Sequence, residues 1–388
     1  MIGSVPDRIP ALDGVRGLAI LLVMALHFAD RTAAGSLANR IYVQIADVGW
    51  VGVDLFFVLS GFLITGLLLD AKGTPNYFRT FWARRVLRIF PAYYALLFAW
   101  FVLVPLLFPP HSLFAQNALG ELHESQGWFW SYLSNWKIGL DGRWTALGTS
   151  VYWSLAIEEQ FYLVWPAVVL MASPRTLAKI CVTLIVASLT ARFYLAATDA
   201  HPILIYTNTV TRMDTLAIGA LIAVAVRDGE WWALLQRHVG WMFAVAAGTL
   251  ALLWAVIGAF AEYHPLMQTA GFTALAVLFA GLIAHALAAP VGSPIARVFS
   301  SSVLRSFGKY SYAMYLFHET IAVLVVPRLP FGDVHALWAQ FARFAVLAPL
   351  TIMAAVLSWH LFEKHFLALK RFFPGTSVTE PVRVPAAR

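Results

Sequence analysis

The chain has 388 residues, of which 60% are hydrophobic and 12% charged, and its mean hydropathy is +0.73. Soluble domains run at roughly 45–50% apolar and about 25% charged residues. The composition therefore excludes a water-soluble enzyme, a disordered chain and a nucleic-acid binder, because one aqueous domain cannot hide so much apolar surface. The net charge of +7 must be read by position, since basic residues of a membrane protein mark its cytoplasmic face first. The single cysteine, Cys181, excludes an intrachain disulfide and a thiol metal cluster. In the apolar run KICVTLIVASL it reads as a small buried side chain.

A membrane helix takes about 20 mostly apolar residues. That rule predicts spans near residues 12–30, 49–69, 91–108, 150–172, 178–197, 211–226, 241–260, 267–287, 308–327 and 340–361. The expected fold is an all-α integral membrane protein, a bundle of about ten transmembrane helices. The first stretch has the flanks of a cleaved signal, with Thr32-Ala33-Ala34 after it, but Arg16 and His27 inside its apolar run argue for a retained helix. An even number of spans puts both termini on one side. Placing them in the cytoplasm leaves 18 Lys and Arg inside and five outside, with Arg16, Arg192, Arg212 and Arg343 within spans. That bias makes both termini cytoplasmic. Residues 1–372 read as one membrane domain, and 373–388 as a disordered cytoplasmic tail. The outer segment 109–149 carries Trp128, Phe129, Trp130, Tyr132, Trp136 and Trp144. Two readings are open for it, an aromatic belt at the headgroups and a stacking platform for a sugar.

Ionisable groups within the hydrocarbon cost roughly 2.5–3.5 kcal/mol each on the insertion scale, so they mark function by default. In the first span Arg16 and His27 stand eleven residues apart. At 100° per residue they return to one face, three turns and about 16 Å apart. The second span brings in Asp54, the fourth Glu158 and Glu159, the sixth Arg212 and Asp214, and the ninth Tyr315, His318 and Glu319. Pairs such as Arg212 with Asp214, or Glu159 with Arg192, would hold helices in register. His27 with Asp54 or Glu158 has the composition of a general base and its orienting carboxylate. In the inner loop NYFRTFWARRVLRIFP, Arg85 and Arg88 share a helical face. Two guanidiniums so placed suit phosphate groups, and they equally satisfy the positive-inside pattern alone.

Taken together these segments resemble the membrane-bound acyltransferase family 3. LDGVRGLAILLVMALHF is similar to its first span, an arginine, ten residues and a histidine, here Arg16 and His27. GVDLFFVLSGFLIT, RRVLRIFPAYY, WSLAIEEQFYLVWP, RMDTLAIG, GKYSYAMYLFH and FEKHFLALKRF follow in the family's order, from about residue 9 to 372. The resemblance implies a ten-helix enzyme of the bacterial inner membrane that moves an acyl group, usually acetyl, from cytoplasmic acyl-CoA to a hydroxyl. Acceptors in the family are extracytoplasmic glycans such as O-antigen, exopolysaccharide or peptidoglycan, and in some members small molecules such as macrolides. It further implies that Arg85 and Arg88 contact acyl-CoA, that His27 is catalytic, and that Glu158 ranks above Glu159. Many relatives that modify wall polymers carry an additional extracytoplasmic esterase-like domain, which is not expected within these 388 residues.

On this reading the CoA phosphates rest on Arg85 and Arg88, the pantetheine arm passes Arg16, and His27, oriented by Asp54 or Glu158, deprotonates the acceptor hydroxyl. Ser60, Tyr162 or Tyr315 would donate to the oxyanion, and an acyl-enzyme is equally compatible. The expected partners are acyl-CoA as donor substrate, a carbohydrate or small-molecule hydroxyl and the lipid bilayer. No permanently bound cofactor, metal or nucleic acid is expected. A secondary transporter is the rival from another class, but it would favour two halves with matching broken helices, which the sequence does not display.

Overall fold

A computed structural model describes residues 3–4, 9–31, 36–107, 113–145, 148–290, 292–331, 336–374 and 383–384. The small residues at 32–34 and most of the tail expected to be disordered, 375–382 and 385–388, lie outside the described residues. The long helices are α1 (Pro10–Phe28), α2 (Leu37–Asp47), α3 (Val51–Asp70), α4 (Tyr77–Phe98), α5 (Tyr152–Met171), α6 (Pro174–Ala197), α7 (Thr209–Val226), α8 (Gly229–Ile257), α9 (Phe272–Ala288), α10 (Ser302–Val325) and α11 (Leu337–Ser358). Strand structure among the described residues is limited to Gly3–Ser4 paired antiparallel with Arg383–Val384.

Nine helical stretches among the described residues are long and apolar enough to cross a membrane. The remaining expected span, α10, has 24 residues but carries Arg305, Lys309 and Glu319, which lower its hydropathy. Helices α6 and α8 turn most of their surface outward, with Val186, Tyr194, Trp241, Val245 and Leu252 more than half exposed. Such surface is stable against lipid and not against water. Two boundaries differ from expectation. The basic inner loop and the third span form one continuous α4 from Tyr77, and α8 starts at Gly229 rather than near 241. In each case the helix runs through a residue that disfavours it, Pro91 in α4 and Gly240 in α8.

Helix α1 is the axis of the bundle, packed between α10 on one side and α3 on the other. A side chain at Gly14 would strike the backbone of Phe299 just before α10, one at Gly17 that of Leu304, and one at Gly308 that of Asp13. Only glycine lets α1 and α10 approach so closely. Helix α3 in turn packs on α7, and α7 on α6 and α9. Helix α5 is bound to α4 for a covalent reason. Pro166 has no N–H, so the carbonyl of Tyr162 loses its helical donor. Trp82 Nε1 supplies one at 3.0 Å, and the Tyr77 hydroxyl donates to the Pro166 carbonyl at 3.1 Å. Lys72 Nζ donates to the carbonyls of Val169 (3.0 Å) and Ala172 (2.6 Å) at the end of α5, favourable placement for a cation at a helix C-terminus.

Candidate active site

The three basic residues expected at the donor site do converge. Arg85 and Arg88, one turn apart on α4, both lie close enough to Arg16 of α1 to repel it. All three are half-buried. Arg88 stands over the Trp359 ring, with the guanidinium carbon 5.6 Å from its centre, and Arg85 stands 5.9 Å from that of Phe81. The acids nearby are Glu158 and Glu159 on α5 and Glu363, yet none makes an ion pair with these arginines among the described residues. Arg84 and Lys370 extend the positive field past them. Three guanidiniums so gathered, with no ion pair among the described residues, suit a polyanion.

Glu158 belongs to this level and not to that of His27. It interacts with the hydroxyls of Ser60 and Tyr162 and lies close to Arg16 and Arg85. Ser60 and Tyr162 also hydrogen-bond each other. Because α3 and α5 run in the same direction, Ser60 and Tyr162 stand at matching heights, and Glu158 is one turn before Tyr162 on the same face. Glu159 faces Arg85 and a set of tyrosines including Tyr93 and Tyr312.

Two expectations about carboxylates are corrected here. Asp54 does not orient His27. It is fully buried and bound to Arg212 at 2.6 Å. Nor does Arg212 pair with Asp214, or Glu159 with Arg192. Arg192 Nη2 meets Asp214 at 2.7 Å, and Asp214 also accepts from Thr273 at 2.8 Å. The guanidinium carbon of Arg212 lies 4.3 Å from the centre of the Phe272 ring and 5.3 Å from that of Tyr206, a cation–π setting. Neighbours in sequence, Arg212 and Asp214 are two residues apart and so point to different sides of α7.

His27 has a partner, His318, that the sequence named in the ninth span without assigning it a role. Its Nδ1 is 2.9 Å from the carbonyl of Val23 and 3.3 Å from Nε2 of His318, and the two rings meet edge to face at 4.8 Å. Neither Asp54 nor Glu158 is among its hydrogen-bond partners. His318 is fully buried on α10. The elements around it are tied down. The Tyr315 hydroxyl bonds Ser154 Oγ at 2.6 Å and donates to the Val151 carbonyl at 3.2 Å. Its one proton is thus engaged locally, as are the hydroxyls of Ser60 and Tyr162, which bond each other. Glu319 accepts from Ser150 Oγ at 2.6 Å and from the Val151 N–H at 3.2 Å, so its carboxylate sits at the N-terminus of α5, where the helix dipole favours it. The signal for His318 was present as the last residue of GKYSYAMYLFH, but a lone histidine in a span carries no mark of what it faces.

The aromatic residues of the outer segment pack on rings of the helical bundle. Tyr94 lies parallel to Trp130 at 5.7 Å and Tyr93 to Tyr132 at 4.2 Å. Trp144 Nε1 donates to the Tyr263 hydroxyl at 2.8 Å, and burial pushes that phenol up to about 12. Rings so engaged are packing and interfacial anchors.

Residues 9–360 match the profile of the acyltransferase domain family, acyltransferase 3. The chain is a member of this family. It is 31% identical over 374 residues to "Peptidoglycan O-acetyltransferase OatA" of Listeria monocytogenes, covering 92% of this chain and 55% of that protein. It is 31% identical over 371 residues to "Putative peptidoglycan O-acetyltransferase YrhL" of Bacillus subtilis, covering 92% and 54%. With "O-acetyltransferase OatA" of Staphylococcus aureus the identity is 27% over 338 residues, covering 82% and 51%. The chain thus spans about half the length of the curated relatives it matches. No solved structure is matched.

Proposed function

We propose that this family member is a multi-pass O-acyltransferase of a bacterial cytoplasmic membrane, moving an acetyl group from acyl-CoA to a hydroxyl of a cell-envelope glycan. The observation that carries this reading is the unpaired cluster of Arg16, Arg85 and Arg88 leading along α1 to His27. A CoA molecule brings several phosphate charges and a long neutral arm. The cluster offers three forked cations for the first, and about 16 Å of helix between Arg16 and His27 offers a track for the second. The 18-to-five distribution of Lys and Arg supports a cytoplasmic donor mouth. The relatives' names, which concern peptidoglycan, support an envelope glycan as acceptor.

In this mechanism the phosphates bind Arg85 and Arg88, and Arg16 holds the donor's arm in register. His27 takes the proton of the acceptor hydroxyl as the oxygen attacks the thioester carbonyl. A positioned base contributes about 10²–10⁴-fold to such a step. Ser60 and Tyr162 are the hydroxyl donors nearest the donor path, held by Glu158. The test is acetyl transfer by the purified chain from labelled acetyl-CoA to peptidoglycan fragments and other envelope saccharides. His27→Ala should cut kcat by about 10²–10⁴-fold with acetyl-CoA binding nearly unchanged, since a base acts on the transition state. A folded His27→Ala protein with ordinary turnover would remove His27 from the chemistry. Uptake of acetyl-CoA into vesicles without transfer would favour a transporter.

A further inference from the structure

We propose that His318 is a positioning residue for His27, accepting the Nδ1–H of His27 and so leaving its Nε2 lone pair for the reaction. This inference rests on the reading of His27 as the base. Hydrogen-bond accounting carries it. Nδ1 of His318 lies 2.8 Å from the carbonyl of Tyr315 and 3.2 Å from that of Met314. Carbonyls only accept, so the proton of His318 is on Nδ1. A second proton on Nε2 would create a charge in a fully buried ring whose neighbours are the rings of Phe28 and Tyr315, with no carboxylate bonded to it among the described residues. Burying an unpaired charge is costly, so Nε2 keeps its lone pair. That lone pair stands 3.3 Å from His27 Nδ1, which also has the Val23 carbonyl at 2.9 Å. With acceptors on two sides, His27 Nδ1 is the donor, and its Nε2 is the free basic nitrogen.

An imidazole in this role differs chemically from the carboxylate that commonly orients a catalytic histidine. A neutral acceptor stabilises the imidazolium less than an anion does, so the proton His27 takes is easily given up again. The step balances in that form. The hydroxyl proton moves to His27 Nε2, the oxygen bonds to the thioester carbon, and the carbon–sulfur bond breaks. The departing sulfur then takes the proton back from Nε2, regenerating the same tautomer. The 3.3 Å contact should shorten once His27 is cationic, because charge-assisted bonds are shorter. The scaffold suits a fixed pair: α1 and α10 approach backbone to backbone at Gly17 and Gly308, and Tyr315 and Glu319, flanking His318, are bonded to the start of α5.

The test uses the full chain in detergent with acetyl-CoA and soluble peptidoglycan fragments, and His27→Ala in parallel. His318→Leu should lower kcat about 10–100-fold and leave KM for acetyl-CoA within about twofold. His318→Gln places an amide oxygen near the position of Nε2 and should recover most of the loss, whereas His318→Asn places its amide near Nδ1 and should not. Undiminished kcat in His318→Leu overturns the proposal. So does equal loss in Leu, Gln and Asn variants, which marks mere packing. A fully active His27→Ala overturns the reading of His27 itself, a distinct result. A measurement free of any acceptor is nitrogen NMR of the ¹⁵N-histidine-labelled protein in bilayers. A coupling between His27 Nδ1 and His318 Nε2 across the hydrogen bond is expected, and its absence would sink the pair.

Discussion

Two regions of the bundle bury arginines and treat them in opposite ways. Among α3, α6 and α7, Arg212 meets Asp54 at 2.6 Å and Arg192 meets Asp214 at 2.7 Å, with all four side chains inaccessible. Between α1 and α4, Arg16, Arg85 and Arg88 are half-buried, face each other and have no ion-pair partner among the described residues. Charge buried against charge is self-contained and tolerates no visitor. Cations gathered without ion pairs repel one another, and that repulsion is relieved when an anionic ligand binds. What separates structural from ligand-binding charge in a membrane is therefore the partner and not the residue type.

The comparison can be broken at either end. The largest effect is expected in the paired region. Asp54→Ala leaves Arg212 as an uncompensated buried charge and should cost about 3–5 kcal/mol of stability, measured as thermal unfolding in detergent. The double variant Asp54→Leu with Arg212→Met should regain most of that loss, because removing both charges leaves no orphan. An unchanged melting temperature in Asp54→Ala would show that the pair is not structural. In the unpaired region the signs reverse. Arg85→Ala with Arg88→Ala should leave stability unchanged or slightly raised, while CoA affinity falls about 10–100-fold, each charged hydrogen bond contributing about 1.5–3 kcal/mol at most. Titration calorimetry with CoA decides it, and unchanged affinity would take both residues out of the donor site. Smaller is the effect of Arg85→Lys with Arg88→Lys, which keeps the charge and loses the planar fork, so affinity should fall by only a few-fold. The smallest expected change is Glu319→Gln, which removes a charge from the start of α5 and should cost about 0.3–1 kcal/mol. A normal melting temperature with lost turnover would instead give Glu319 a chemical role.

Much of this was legible along the chain. Helical spans of about 20 apolar residues can be counted, and the face shared by Arg16 and His27 follows from 100° per residue. The same arithmetic joins Arg85 to Arg88. Depth across helices was not legible. Glu158 was expected beside His27 and lies with Arg16, Ser60 and Tyr162, because the level a residue reaches depends on where its helix enters the bundle. Pairing was not legible either. Arg212 and Asp214 are close in sequence, and yet each binds a residue on another helix.

The sequence by itself determined the membrane class, the helical content, the positive-inside bias and the residue types that chemistry needs, since all of these depend on composition and on periodicity within one segment. Only tertiary contacts set which charges are cancelled, that Arg85 and Arg88 converge on Arg16, and that His27 meets His318. The physical reason is that a helix fixes directions only about its own axis. How close and at what height two helices meet is settled by glycine contacts such as Gly14 and Gly308 and by bonds such as Trp82 to the carbonyl of Tyr162, between residues far apart in the chain.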